Sequence, residues 1–294
     1  MSDYSHLGPK ATAALELSDE ERIRYNWSDR WIGYDAAKEI IDYMESLLDF
    51  PKVERMPCLL IVGESNYGKS TILKRFLSLH PPDDNPDGSK IIAPVVKVRA
   101  PPTPDEGRLY NKILDAIFAA YEVGYHPDKK RQIIFETFGA IGVRMLMLDD
   151  ISNLLAGTVK KQRPVLNALR DLSSDLKISI VAAGIGTAYT VISTDDQLYS
   201  RFKTKDLKSW TNDKIFASLL VSFEKQLALK MPSQLESNEI VKRVLVITNG
   251  ITGDISFLLK SAAEIAIRTK EEKITLKILD SLENIFLKRE RIPQ

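Results

Sequence analysis

Residues 56–76 read M-P-C-L-L-I-V-G-E-S-N-Y-G-K-S-T-I-L-K-R-F, and this stretch decides the fold. The apolar run from Met56 to Val62 has the length of a buried strand and ends at a glycine. Residues 63–70 then match the phosphate-loop pattern G-x-x-x-x-G-K-[ST] at every position. Ile72, Leu73, Phe76 and Leu77 follow at helical spacing, so strand, glycine-rich turn and helix succeed one another. Each part has a physical task. Gly63 and Gly68 let the backbone turn so that successive amides face phosphate oxygens. Lys69 reaches the β- and γ-phosphates, and the Ser70 hydroxyl coordinates Mg²⁺. The helix beginning near Lys69 aims its positive end at the nucleotide.

A phosphate-loop ATPase also needs an acid on a neighbouring strand. The run M-L-M-L-D-D at 145–150 supplies it. Asp149, at the carboxyl end of an apolar strand, is expected to hold Mg²⁺ through water, and Asp150 to polarise the attacking water. Aspartate is one methylene shorter than the glutamate usual at the second position, which predicts slow hydrolysis. A third apolar strand, 178–183, runs into G-I-G-T, placing Thr187 where a polar group senses the γ-phosphate or merely caps a helix. Arg201, in Q-L-Y-S-R-F at 197–202, is placed to reach a neighbouring subunit's nucleotide. A surface ion pair is the plainer alternative for it.

Outward from these motifs the pattern repeats. Helices are predicted at 34–49, 107–122, 130–139 and 164–176, the last with Pro164 in its first turn, and apolar runs at 91–98, 143–148 and 178–183. Near-continuous apolar strands alternating with helices indicate a parallel sheet covered on both faces. Residues 81–90 read as a solvated loop, and residues 1–28 are weakly periodic and read as an arm or linker. From about 211 the strand signal fades into helices at 212–230, 238–248, 254–269 and 274–288. The expected organisation is an arm or linker at 1–30, an α/β nucleotide-binding domain at 31–210 and a small helical lid domain at 211–294. Tyr25, Trp27, Trp31 and Tyr34 either pack an adenine from outside the loop or fill core.

Composition sets outer bounds. With 294 residues, 44% hydrophobic and 28% charged, wholesale disorder is excluded. Forty-one basic against 40 acidic residues leave +1, so any nucleic-acid contact must come from a local patch. The single cysteine, Cys58, rules out a disulfide framework and suits a reducing compartment, and His6, His80 and His126 are too scattered to suggest a metal site. The N-terminus lacks the apolar core of a signal peptide, and no run approaches the roughly 18 apolar residues of a membrane span. A soluble, cytoplasmic protein with no membrane partner is expected.

The ordered series of motifs resembles the TniB/TnsC-type transposition ATPases of the AAA+ superfamily. The resemblance covers about residues 30–285. It is carried by the stretch 55–76, by P-V-V-K-V-R-A-P-P-T-P at 94–104 and by M-L-D-D-I-S-N-L-L-A-G at 147–157. Q-R-P-V-L-N-A-L-R-D-L at 162–172, G-I-G-T-A at 184–188, D-Q-L-Y-S-R-F at 196–202, L-K-S-W at 207–210 and N-G-I-T-G-D-I at 249–255 complete it. Such a resemblance implies a P-loop AAA+ fold with a five-stranded parallel sheet and a C-terminal helical lid. It implies an ATP-dependent regulator that assembles head to tail on duplex DNA, as a ring or filament, and connects a TniQ-type target selector to the transposase.

Residue by residue, the resemblance assigns Gly63, Glu64, Ser65, Asn66, Tyr67, Gly68, Lys69, Ser70 and Thr71 to the nucleotide and Asp149 and Asp150 to Mg²⁺ and water. It makes Thr187 the first sensor and Arg201 the finger acting in trans. Two departures, Asp150 itself and the D-I-S after Gly253 in place of a second-sensor arginine, bear on hydrolysis more than on binding. In related proteins DNA contacts come from loops of the α/β domain. Here Arg108 and Lys112, then Lys129, Lys130 and Arg131, then Lys160, Lys161 and Arg163 are the candidates, for sequence-independent phosphate contacts. A helicase-loader-like ATPase, a scaffold that binds ATP with little turnover, and a small-molecule kinase are the other readings; the tail has few of the lid arginines a kinase needs.

Overall fold

Four short apolar runs become strands because each is too short for a stable helix and is bounded by glycine, proline or charge, while the fifth strand, F-K-T-K-D at 202–206, is mostly polar and lies at the sheet edge. The computed structural model describes residues 4–83, 91–156 and 158–290; residues 84–90 of the loop expected at 81–90 lie outside the described residues. The chain forms two compact units. One spans Ala36–Lys208, and the other joins the chain up to Asp35 with the chain from Ser209.

Helices α1 (Pro9–Ala14) and α2 (Asp19–Trp27) stand where an arm or linker was expected. A capping signal, Ser18-x-x-Glu21, starts α2, with Glu21 accepting hydrogen bonds from the Ser18 amide (3.0 Å) and hydroxyl (2.6 Å). Then follow α3 (Asp35–Leu48), β1 (Cys58–Val62), α4 (Lys69–Leu79), β2 (Val95–Arg99), α5 (Glu106–Ala116) and α6 (Pro127–Ile141). β3 (Met145–Asp149) leads through a 3₁₀ turn to α7 (Val159–Asp175), β4 (Ser179–Gly184), α8 (Ala188–Ser193), α9 (Asp196–Tyr199) and β5 (Phe202–Asp206). The strands form one parallel sheet in the order β2-β3-β4-β1-β5.

Side-chain alternation gives the sheet two distinct faces. Leu60, Val98, Leu146, Leu148, Ile180 and Ala182 pack into one cluster with Leu109, Ile113, Phe138 and Leu169 of α5, α6 and α7. The neighbouring positions Leu59, Ile61, Met145, Met147 and Val181 are equally buried, facing the other way, and α4 packs on β2, β3 and β4. Both faces of the three inner strands, β1, β3 and β4, are covered, which is why these carry no polar alternation, whereas the edge strands β2 and β5 carry charged residues.

Three helix ends differ most from expectation, and one of them is that of the helix expected at 212–230, which stops at Glu224. α5 stops at Ala116, and Phe118 takes a left-handed φ of 53°. α7 begins five residues before Pro164, so the proline lies inside the helix and withholds one backbone bond. Lys160, Lys161 and Arg163 therefore sit on the first turns of a helix.

The second unit is built from α2 with α10 (Lys214–Glu224), α11 (Asn238–Thr248), α12 (Thr252–Arg268) and α13 (Leu276–Glu290) around Ile23, Phe216, Leu220, Val244, Leu258 and Leu279. Gly250 is required here: with φ at 69°, a Cβ on it would stand 2.3 Å from the Trp210 carbonyl oxygen. Trp27 donates its Nε1 hydrogen to Glu264 and packs on Phe257, while Tyr34 meets Trp210 edge to face. Of the two alternatives, core packing is what the helices show for Trp27 and Tyr34.

Candidate nucleotide-binding site

The loop after β1 sits at the carboxyl ends of the strands, between the sheet and α4. Its two glycines answer different demands. Gly68 takes φ 89°, a left-handed conformation open to glycine, and leads directly into α4. Gly63 has no such torsion; a Cβ there would meet the Leu207 Cβ and carbonyl oxygen at 3.0 Å, so the close approach of the chain leaving β5 is what excludes a side chain. Glu64, Ser65, Asn66 and Thr71 are exposed, while Tyr67 and Ser70 are half-buried. The first amides of α4 have no partner inside the helix and face the loop mouth.

Lys69 is buried, and its Nζ donates to the carbonyl oxygens of Gly63 (2.6 Å) and Glu64 (2.8 Å). Burial pushes its pKa down, against the opposing charges of Asp150, Asp149 and Glu64. The lysine is thus held by two neutral carbonyls inside the loop, a grip that a phosphate can replace with a full charge pair.

Asp149 stands at the end of β3 on the α4 face. Its Oδ1 accepts from the Ser70 hydroxyl (3.1 Å) and the Asp150 amide (3.2 Å), and its Oδ2 pairs with Lys97 Nζ at 3.1 Å. A hydroxyl and a carboxylate converging from two elements form the oxygen donor set that a small hard divalent cation takes. Asp150 has φ 57°, which an aspartate adopts at modest cost, and its Oδ2 accepts from Arg99 Nε at 2.7 Å. Arg99 is 73% exposed and Asp150 35%, so this pair contributes little and exchanges readily.

Lys97 and Arg99 were not among the sequence candidates. A signal for them exists: two cations alternate with Val96 and Val98 on a strand that should be apolar on both faces. The parallel register sets Lys97 beside Met147 and Arg99 beside Asp149, and each side chain reaches further along β3's end, Lys97 to Asp149 and Arg99 to Asp150.

Thr187 is exposed at the amino end of α8 and makes no capping bond with its side chain. The loop that carries it is tied to the acid strand end, because the Ile185 amide donates to Ser152 Oγ at 3.0 Å. Gly184 permits that closeness; a Cβ there would lie 2.6 Å from the same hydroxyl. Thr187, Ser70, Asp149 and Asp150 thus share one end of the sheet.

Arg201 does not. Its carbonyl accepts from the Cys58 amide (2.8 Å), at the first residue of β1, which places it a strand length, roughly 15 Å, from the loop. Its guanidinium turns inward, Nη1 donating to Ser174 Oγ at 3.0 Å and Nε buried without a hydrogen-bond partner. It is not the surface ion pair considered above, and it cannot reach the nucleotide of its own chain.

The basic candidates separate as well. Lys130 is buried, with Nζ donating to the Val123 carbonyl at 2.7 Å, so it is withdrawn as a DNA contact: a long side chain on a helical face has been used to close a loop. Arg131 pairs with Asp175 and lies over Phe135. Arg108, Lys112 and Lys129 are exposed, Arg108 against Thr103 and Lys129 against Gln132. Lys160, Lys161 and Arg163 are exposed and make no ion pair among the described residues. They crowd the positive end of α7, which has no acidic residue in its first turn. Among the described residues no helix is long and apolar enough to cross a membrane.

The family model described as "Bacterial TniB protein" matches residues 22–212. Among solved structures, the chain is similar to the ORC2 protein of Aeropyrum pernix in its ADPNP–ADP complexes, with 12% identity and a TM-score of 0.60 over 89% of this chain and 71% of that one. Cdc6p of Pyrobaculum aerophilum gives 17% identity and a TM-score of 0.59 over 85% and 67%. The ORC1 protein of A. pernix in complex with DNA gives 15% and 0.55 over 92% and 70%. At these identities the likeness carries the fold, a P-loop AAA+ sheet followed by helices. No curated protein matches the sequence.

Proposed function

The chain belongs to the bacterial TniB family, and from that premise we propose that it is an ATP-switched regulator of DNA transposition that assembles head to tail on duplex DNA. The observation that carries this reading is the meeting of Ser70 and Asp149, 3.1 Å apart and drawn from two different elements, beside a buried Lys69. Three groups separated by up to 80 positions in sequence converge on one loop mouth, with an arrangement suited to nucleoside triphosphate.

In this reading Lys69 leaves the Gly63 and Glu64 carbonyls for the β- and γ-phosphates, and the amides of residues 64–71 cradle them. Mg²⁺ held at Ser70 and, through water, at Asp149 supplies neutralisation of the phosphate charge. Asp150 orients the attacking water once it parts from Arg99, and Thr187 senses the γ-phosphate. Arg201, far from its own loop, serves a neighbour's nucleotide only by leaving Ser174 and turning outward, so assembly completes the site.

Lys160, Lys161 and Arg163 then serve DNA phosphates. Three cations at a helix amino end repel that end's dipole, and an anion relieves the repulsion. The family match and the likeness to an ORC1 protein solved in complex with DNA support a DNA partner. A TniQ-type selector and the transposase are the proposed protein partners, and the cytoplasm the proposed compartment. The test is assembly on duplex DNA followed by light scattering and electron microscopy. Assembly is expected with ATP or a slowly hydrolysed analogue and not without nucleotide, and Lys69→Ala is expected to abolish it. Assembly indifferent to nucleotide overturns the proposal.

One observation favours a scaffold that turns ATP over slowly. Asp150 is short for its task and engaged by Arg99. ATP turnover with DNA present, compared between the natural chain and Asp150→Ala, separates the two; equal rates exclude Asp150 as the water-positioning group.

A further inference from the structure

Lys97 has no part in the reading above, yet it occupies a costly position. It lies mid-strand in β2 on the face toward α4, with its side chain 18% exposed, and its Nζ meets Asp149 Oδ2 at 3.1 Å. A half-buried lysine in a parallel strand is dearer than the valines on either side unless its charge is answered, and here Asp149 answers it.

The carboxylate is divided between two directions. Oδ1 faces Ser70 and the loop mouth, and Oδ2 faces the ammonium. We propose that Lys97 is a resident counter-ion of Asp149 that holds the acid when no divalent cation is present and, by its charge, weakens the site's demand for Mg²⁺ in nucleotide binding. The inference rests on the nucleotide site proposed above.

The physical case compares two effects of opposite sign. Lys97 orients Asp149, which favours metal binding. That orientation is shared with the Ser70 hydroxyl and the Asp150 amide, both of which remain when the lysine is removed. Against it stands repulsion between the ammonium and a divalent ion on the other side of one carboxylate. At such a separation that repulsion alters affinity by about tenfold even under water-like screening, and by more in a partly buried site. Repulsion wins. The same positive charge attracts a nucleotide that arrives without metal, so the two effects add in the ratio of affinities with and without Mg²⁺. Lys97 is a positioning residue acting through Asp149.

The experiment measures binding of a fluorescent ADP to the full chain in EDTA and across a Mg²⁺ titration. The natural chain is expected to bind with only a small difference between the two conditions. Lys97→Met is expected to widen that ratio by about tenfold or more and to lower the half-saturating Mg²⁺ concentration to match. Lys97→Gln keeps a donor toward Asp149 without the charge, and is expected to behave as Lys97→Met does. Lys97→Arg is expected to restore the natural ratio. Melting temperatures taken alongside separate packing from charge, since a merely structural lysine moves stability and leaves the ratio alone. A ratio in Lys97→Gln equal to or below that of the natural chain overturns the proposal. Absence of nucleotide binding by the natural chain in both conditions overturns the nucleotide site as well, whereas tight binding with an unmoved ratio overturns the role of Lys97 alone.

Discussion

Two buried charge clusters, one in each unit, use similar residues and are finished in opposite ways. In the helical unit Arg22 is fully enclosed. It donates through Nη1 to Glu272 Oε1 (2.9 Å) and through Nη2 to Glu272 Oε2 and the Ala228 carbonyl (2.8 Å), while the Lys230 amide also donates to Glu272 (3.2 Å). Every group is spoken for by the chain itself. In the α/β unit Lys69 rests on two carbonyls, Asp150 is held by a solvent-exposed arginine, and the Ser70 hydroxyl shares its acid with Lys97. The first cluster is a closed bidentate network that fixes α2 to the turn at Glu272. The second is a set of weaker, replaceable partners at the mouth of a loop. Burial alone does not distinguish a structural charge from a functional one; what remains exchangeable does.

The largest effect expected from breaking the closed cluster is on stability. Arg22→Met strands a buried carboxylate and is expected to cost about 3–5 kcal/mol in chemical denaturation, much of it recovered by adding Glu272→Leu. Nucleotide affinity of the folded variant is expected to be unchanged, and a parallel loss would merge the two clusters into one system. Lys69→Ala is expected to do the reverse, lowering affinity for an ATP analogue by about a hundredfold or more, equivalent to ~2.7 kcal/mol, with a melting temperature close to that of the natural chain. A large drop in melting temperature would show that the lysine, too, is structural.

Gly250→Ala sharpens the contrast from the side of the backbone. It forces a Cβ against the Trp210 carbonyl at a left-handed φ, and should cost about 2 kcal/mol or more of stability, with no direct effect on Ser70 or Asp149. The smallest effect is acid sensitivity. Burial acts to raise the Glu272 carboxyl, but the hydrogen bond from Arg22, the Lys230 amide and the charges of Arg22 and Lys230 together hold it below its ordinary value of 4.5. A depressed acid contributes stability that is complete above its unfolded-state pKa and is lost as pH falls through the folded one. Stability is therefore expected to hold down to about pH 5 and to fall below 4.5, and Arg22→Met should lose this Glu272 component of the slope. An unaltered acid limb in that variant would mean that other carboxylates carry it.

Much of the site was legible because its requirements are local. The left-handed torsion at Gly68, the lysine and serine that follow it, and the apolar run ending at Asp149 are each specified by neighbouring residues. The N-terminal helices were missed although Ser18 and Glu21 carry a capping signal, because α1 has only six residues and α2 is mostly polar. The expected end of α5 was too late because Ile117 and Tyr121 keep helical spacing past the point where Phe118 turns the chain. Pro164 suggested too late a start for α7; a proline is cheapest in a first turn, but a helix packed through Val165, Leu166 and Leu169 tolerates one further in. Lys130 looked like any surface lysine until Val123 was placed beside it.

The amino-acid sequence by itself determined a phosphate loop between a strand and a helix, an acid at a second strand end, and an alternation that builds a parallel sheet, all of which follow from steric and periodic rules acting over a few residues. Tertiary structure decided the rest. Register set Arg99 beside Asp149 and aimed Lys97 along the strand at the same acid; strand direction put Arg201 at the far end from its own loop; and packing gave α1 and α2 to the helical unit. Partners separated by tens of positions are chosen by which faces bury apolar area together, and a charge finds its counter-ion only after that choice is made.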